Sequence, residues 1–198
     1  MTSSIKEPLP FFVLALDERV DLYADVLAIK GKPSSEDREQ AADLKRVVFE
    51  GVRTAVRQGI PTSSVAIWAD GDLGESVLLR AKAMSIATSA SPGSGLETVK
   101  HLFVDYIGIQ LSFNPDSPPD TRKQLLKQLE ALSGSTRQES IRLIVELDST
   151  PTTAQIDNFG NSMKARANLL VKSIQQFQDA GVNSAFWAFD PKGIESST

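Results

Sequence analysis

The sequence contains no cysteine and a single histidine, His101. The absence of cysteine excludes disulfide bonds, cysteine nucleophiles and thiolate metal sites. One histidine cannot form the imidazole pair found in many metal sites, and His101 beside Lys100 in a predicted helix indicates a surface position. We therefore predict no metal and no cofactor. A magnesium site built from carboxylates alone stays open, although no spacing of acidic residues indicates one.

The chain also lacks a block of basic residues and a long apolar run. Its net charge is -4, so a basic patch for nucleic acid is not expected. The first apolar run, residues 11–16, is too short to cross a membrane and is followed at once by charged residues. Only Lys6 supplies the positive charge that a signal peptide needs before its apolar stretch. These features favour a soluble cytoplasmic protein without a membrane partner.

The 198 residues are 41% hydrophobic and 23% charged, which is typical of a globular chain that buries a substantial core. We find no linker composition, and we predict a single domain over residues 1–198. Short apolar runs alternate with longer amphipathic segments, a pattern that indicates strands alternating with helices. The six predicted strands are residues 11–16, 65–69, 86–90, 107–113, 141–147 and 184–189.

Helical periodicity predicts five crossover helices between these strands: residues 36–57, 75–83, 96–104, 121–132 and 153–180. Ser34 or Ser35 is the expected cap of the first helix, and Gly160 is a possible break in the last. The expected inward face of the first helix carries Leu44, Val47, Val48, Gly51, Val52 and Ala55.

Alternating strands and helices predict an α/β fold with about six parallel strands. A complete (β/α) barrel has eight strands and typically about 250 residues, so this chain is predicted to be barrel-like but incomplete. It could be an open parallel sheet, a barrel closed with fewer strands, or a barrel completed by a partner. Since open sheet edges are usually covered, we expect a homo-oligomer or a hetero-complex.

Ligand sites of parallel α/β folds lie at the carboxyl ends of the strands. Aspartate is also a common turn former, so most acidic residues at these ends have an ordinary structural explanation. Glu146 differs, because it lies inside an apolar run where a carboxylate is costly unless it is paired. Carboxylates here could act as acid, base or magnesium ligands around a sugar-like substrate, and Arg19 could hold a phosphate or carboxylate. The candidate residues are Asp17, Arg19, Asp70, Asn114, Asp116, Glu146 and Asp190.

These strand ends resemble a known family. Residues 15–19 (Ala-Leu-Asp-Glu-Arg) resemble the opening Ala-Leu-Asp-x-Arg of the tagatose 1,6-bisphosphate aldolase family. They also resemble a related aldolase-like domain that is fused to a sugar kinase in bacterial inositol catabolism. Four later stretches resemble the family in the same order: residues 68–74, 113–116, 144–147 and 185–190.

The resemblance implies a class I aldolase barrel, in which a strand lysine forms a Schiff base with a sugar phosphate. Ala188 and Gly108 stand where the family has its strand lysines, and the two phosphate-binding units that end such barrels are absent. The resemblance thus predicts a non-catalytic relative, a pseudoenzyme with a binding, regulatory or assembly role. The alternative is an active carbon–carbon lyase or isomerase of carbohydrate metabolism. Its catalytic residues would be Asp17 and Glu146, and Arg19, Asp70, Asn114, Asp116 and Asp190 would bind substrate.

Overall fold

The structure is a computed structural model that describes residues 12–17, 22–93, 96–182, 184 and 186–189. The chain divides into two compact units, Met1–Tyr106 and Ile107–Thr198. Strands alternate with helices in both units, which confirms the predicted α/β class. Identity with an aldolase-type barrel stays a prediction.

The first unit contains a parallel three-stranded arrangement whose strands follow the order of the chain. The middle strand is the apolar run that the sequence indicated, and five of its six residues are buried. A strand buried on both faces reads as a continuous apolar run for this reason. The elements are β1 (Phe12–Leu16), α1 (Ser35–Arg57), β2 (Val65–Asp70), α2 (Glu75–Ala83) and β3 (Ala87–Ser91).

The second unit contains almost all of β4 and the two strands that follow it in the sheet. β5 and β6 pair in parallel, with Val145 opposite Trp187 and Glu146 opposite Ala188. The elements are β4 (Tyr106–Ser112), α3 (Pro119–Gln138), β5 (Arg142–Asp148), α4 (Thr153–Phe159), α5 (Ser162–Asp179) and β6 (Phe186–Phe189).

Helix α1 turns a different face inward from the one that the sequence predicts. Its buried residues are Ala41, Lys45 and Phe49, spaced four apart, whereas Val47 is 67% exposed and Val48 is also exposed. The prediction of the inward face was wrong because it treated every charged position as outward. An ion pair inside the unit allows Lys45 to lie on the buried face, and the apolar stripe around Val47 stays at the surface.

The ends of the helices follow local capping chemistry. Ser34 caps α1: its hydroxyl accepts from the backbone N–H of Asp37 at 3.2 Å, and the Asp37 carboxylate accepts from the Ser34 N–H at 2.8 Å. The bond from the Ser34 backbone, with a second from its hydroxyl, lowers the pKa of Asp37. The predicted break at Gly160 is confirmed, since its φ of +75° ends α4 and Asn161 caps α5.

The crossover from β3 to β4 corrects a second prediction. In place of the helix expected at residues 96–104, the structure has two short 3₁₀ turns, Leu96–Thr98 and Lys100–Leu102. Val99 and Leu102 are both buried, and their spacing of three suits a 3₁₀ turn. The prediction of a crossover helix at residues 96–104 was therefore wrong.

Helix α3 is longer than the predicted segment, because it begins at Pro119 and ends at Gln138. Proline is tolerated in a first helical turn, where its missing N–H has no partner to lose. None of the helices in the described ranges is both long and apolar enough to cross a membrane.

Candidate functional site

In the first unit, two of the predicted site residues lie at neighbouring strand ends. Leu16 of β1 is opposite Ala69 of β2, so Asp17 and Asp70 each directly follow this pair. Asp70 is in turn opposite Ser91, the last residue of β3. The register thus groups two carboxylates and a hydroxyl at the carboxyl ends of three adjacent strands.

The Asp70 carboxylate has partners on both oxygens. Its Oδ2 accepts from the Nζ of Lys45, which reaches it from α1. Its Oδ1 accepts from the backbone N–H groups of Leu73 at 2.6 Å, Asp72 at 3.2 Å and Gly74 at 3.3 Å. The Lys45 side chain is 5% exposed and that of Asp70 is 13% exposed. Asp70 therefore organises the loop that follows its own strand.

Lys45 is a residue of this site that the sequence analysis missed. Its position is visible in the helical spacing, because Ala41 and Phe49 lie one turn to either side and both are buried. A lysine flanked by apolar residues at intervals of four is the pattern that could have revealed it. The aldolase resemblance places its reactive amine on a strand, whereas Lys45 lies on a helix.

The loop after β2 has little room to change. A Cβ atom at Gly74 would lie 2.5 Å from the Cβ of Ala69 and 2.6 Å from the carbonyl oxygen of Asp70, distances that real Cβ atoms do not show. A second ion pair, between Arg38 of α1 and Asp72, holds the same loop at the surface. Helix α1 therefore contacts this loop at two positions two turns apart.

In the second unit, Glu146 lies on β5 with 6% of its surface exposed. The neighbouring pair in register, Val145 and Trp187, lies on the face that packs on α5, where the Trp187 ring stacks on Phe177 with centroids 5.6 Å apart. Side chains alternate along a strand, so Glu146 and Ala188 project from the opposite face. The position that the resemblance assigns to the Schiff-base lysine is thus directly beside the buried glutamate.

A polar cluster forms where β4 ends. The side-chain amide of Gln155 in α4 donates to the Asp116 carboxylate at 2.7 Å and to Asn114 Oδ1 at 3.3 Å. Asn114 returns a bond to Gln155 Oε1 at 3.2 Å, and Lys172 of α5 lies 3.5 Å from Asp116. The predicted residues Asn114 and Asp116 are therefore brought together by Gln155, which the sequence analysis did not identify.

The predicted site residues thus fall into two sets, Asp17 with Asp70 in one unit and Asn114, Asp116 and Glu146 in the other. Asp17 is half-buried. Arg19 and Asp190 lie outside the described residues. His101 is exposed, as predicted, and Trp68 is a buried core residue whose indole N–H donates to Ser91 Oγ at 2.8 Å.

In the described ranges no group of three or more histidine, aspartate or glutamate side chains is placed to hold a metal ion. Magnesium prefers several oxygen ligands around one point, and Asp70 directs its oxygens to protein donors instead.

Comparison with known proteins adds no relative: no family model matches the chain, and no curated protein matches its sequence.

Proposed function

We propose that this chain is an aldolase-like (β/α) protein that binds a small sugar-like ligand or a protein partner and does not form a Schiff base. A Schiff base requires a lysine amine that is free to attack the substrate carbonyl. The six described strands contain no lysine, and Ala188 stands at the position where the resemblance places one. These features support a binding, regulatory or assembly role.

The proposal rests on the burial and the hydrogen-bond partner of Lys45. Among the described residues it is the lysine with a buried side chain, and its ammonium is bonded to Asp70. An amine that donates to a buried carboxylate cannot reach a carbonyl carbon without breaking that ion pair. The one buried amine of this part of the chain is therefore a structural group.

Reductive trapping tests the proposal. The protein is incubated with a ketose phosphate, treated with sodium borohydride and analysed by intact mass spectrometry, with a working class I aldolase as the positive control. We expect the mass of this chain to stay unchanged while the control gains the reduced substrate. An adduct on any lysine would overturn the proposal, and the variant Lys45→Met would show whether Lys45 carries it.

A second candidate function rests on Glu146. A glutamate with 6% exposure on a strand face turned away from α5 is placed to act as an acid or base on a bound sugar phosphate. Such an enzyme would be a carbon–carbon lyase or an isomerase. If a panel of sugar phosphates gives turnover, Glu146→Gln should abolish it with the fold intact. Unchanged turnover in that variant would exclude this role.

An assembly role is favoured by the surface of the first unit. Among the described strands β1 has one neighbour, β2, and its residues Phe12 and Val13 are exposed. The open edge of a strand and exposed apolar side chains are commonly covered by another chain. We therefore expect this protein to form a homo-oligomer or a hetero-complex.

A further inference from the structure

We infer that the loop after β2 is an anion-binding site whose occupant is the protein's own Asp70 carboxylate. The backbone N–H groups of Asp72, Leu73 and Gly74 together with the Lys45 ammonium form the site. The inference goes beyond the proposed function and does not depend on it, because it concerns the role of Asp70 alone.

The geometry is that of a backbone anion nest. Three successive N–H groups converge on one oxygen, Asp70 Oδ1, at 2.6 to 3.3 Å. Successive N–H groups that point into one concavity bind phosphates and carboxylates in many proteins. Here a buried lysine supplies a full positive charge to the second oxygen of the same group.

The loop also packs tightly against the end of its own strand, which fixes the positions of the three donors. Gly74, one of the three donors, has no space for a Cβ atom, since Ala69 and Asp70 would lie within 2.6 Å of it. Helix α1 holds the loop through Arg38 and Lys45. Because Asp70 fills the nest, its three N–H groups are not available to a phosphate or carboxylate of a ligand. Asp70 in this view holds the loop at the end of β2.

Chemical rescue by formate tests the inference. The variant Asp70→Ala removes the carboxylate and leaves a space of about its size beside Lys45. We expect its melting temperature to fall by roughly 10 °C, because a buried cation loses its partner. Sodium formate should then raise the melting temperature along a saturable curve, whereas sodium chloride at equal ionic strength should not.

Three variants separate rescue from a general salt effect. Asp70→Asn fills the space and should gain nothing from formate. Asp72→Ala loses an exposed carboxylate of the same loop and should respond alike to both salts. Lys45→Met combined with Asp70→Ala should lose the rescue, because the cation of the site is gone.

Equal effects of formate and chloride on Asp70→Ala would overturn the inference, and so would rescue that persists in the double variant. If Asp70→Ala does not fold in chloride, refolding in formate is the same test. Recovery of folded protein in formate alone then supports the inference, and failure in both salts counts against it.

Discussion

At the residue scale, Lys45 and Asp70 form an ion pair whose side chains are 5% and 13% exposed. Removing two charges from water is costly, and their attraction repays that cost only with good geometry and further hydrogen bonds. Asp70 has those bonds from three backbone N–H groups. The pair therefore specifies one arrangement of the loop after β2, and losing one partner costs more than the pair itself contributes.

The first prediction concerns Lys45→Met, which keeps the buried stem of the side chain and removes its charge. We expect the free energy of unfolding to fall by about 3–5 kcal/mol, because Asp70 is left without its cation. Urea denaturation followed by circular dichroism measures this. The matched control is Arg38→Met, whose ion pair with Asp72 is exposed and should change stability by less than about 1 kcal/mol. Equal losses of unfolding free energy in Lys45→Met and Arg38→Met would contradict the view that Lys45 forms the more important, buried ion pair.

The substitution of glycine by alanine should change stability in opposite directions at Gly74 and Gly134. Gly74→Ala should destabilise the protein by about 1–3 kcal/mol, because its Cβ would overlap Ala69 and the backbone of Asp70. Gly134→Ala, inside α3 with no atom within 4 Å of the added Cβ, should stabilise by about 0.5–1 kcal/mol. Thermal melts of the two variants test both signs, and a neutral Gly74→Ala would show that the loop can relax.

At the element scale, the start of α1 depends on the capping box of Ser34 and Asp37. Ser34→Ala should cost about 1 kcal/mol, because the hydroxyl no longer accepts from the Asp37 N–H. The matched control is Ser35→Ala, in the first helical residue, which should be nearly neutral since alanine favours helix. A comparison of their urea midpoints measures the cap, and a larger effect at Ser35 would place the cap one residue later.

The same box predicts a dependence on pH. The bonds from Ser34 lower the pKa of Asp37 in the folded state. A lowered pKa stabilises the fold at pH values above the unfolded pKa, and this contribution is lost as the pH falls through the folded pKa. Asp37→Asn should therefore be less stable than the natural chain at pH 7, and the difference should shrink below about pH 4. A difference that stays constant from pH 7 to pH 3 would contradict this cause.

At the scale of the whole molecule, we expect association in solution. Phe12, Val13 and Val47 leave apolar surface on the first unit. Multi-angle light scattering should give a mass above that of one 21.5 kDa chain. The variant Val47→Lys should lower that mass if the exposed side of α1 takes part in the association. The control is Val171→Lys, which changes an exposed valine of α5 and should leave the mass unchanged. A monodisperse monomer of the natural chain would contradict the expectation of a homo-oligomer.

The fold class and the position of nearly every strand could be predicted from the sequence alone. Apolar runs alternate with amphipathic segments, and the predicted strand at residues 141–147 differs from Arg142–Asp148 by one residue. A serine cap of α1, at Ser34 or Ser35, and a break near Gly160 were likewise predicted, and the structure has the cap at Ser34 and the break at Gly160. The cap and the break depend on interactions between residues a few positions apart. A short segment of the sequence is therefore enough to predict them.

The contacts between polar side chains could not be predicted in the same way. Lys45 contacts a carboxylate 25 residues away, and Gln155 joins Asn114 across 41 residues. Such contacts depend on how helices pack on strands, and hydrophobic periodicity treats a paired lysine as a surface residue. For this reason the sequence located Asp70 at a strand end but not the cation and the loop that enclose it. The inward face of α1 was mispredicted for the same reason.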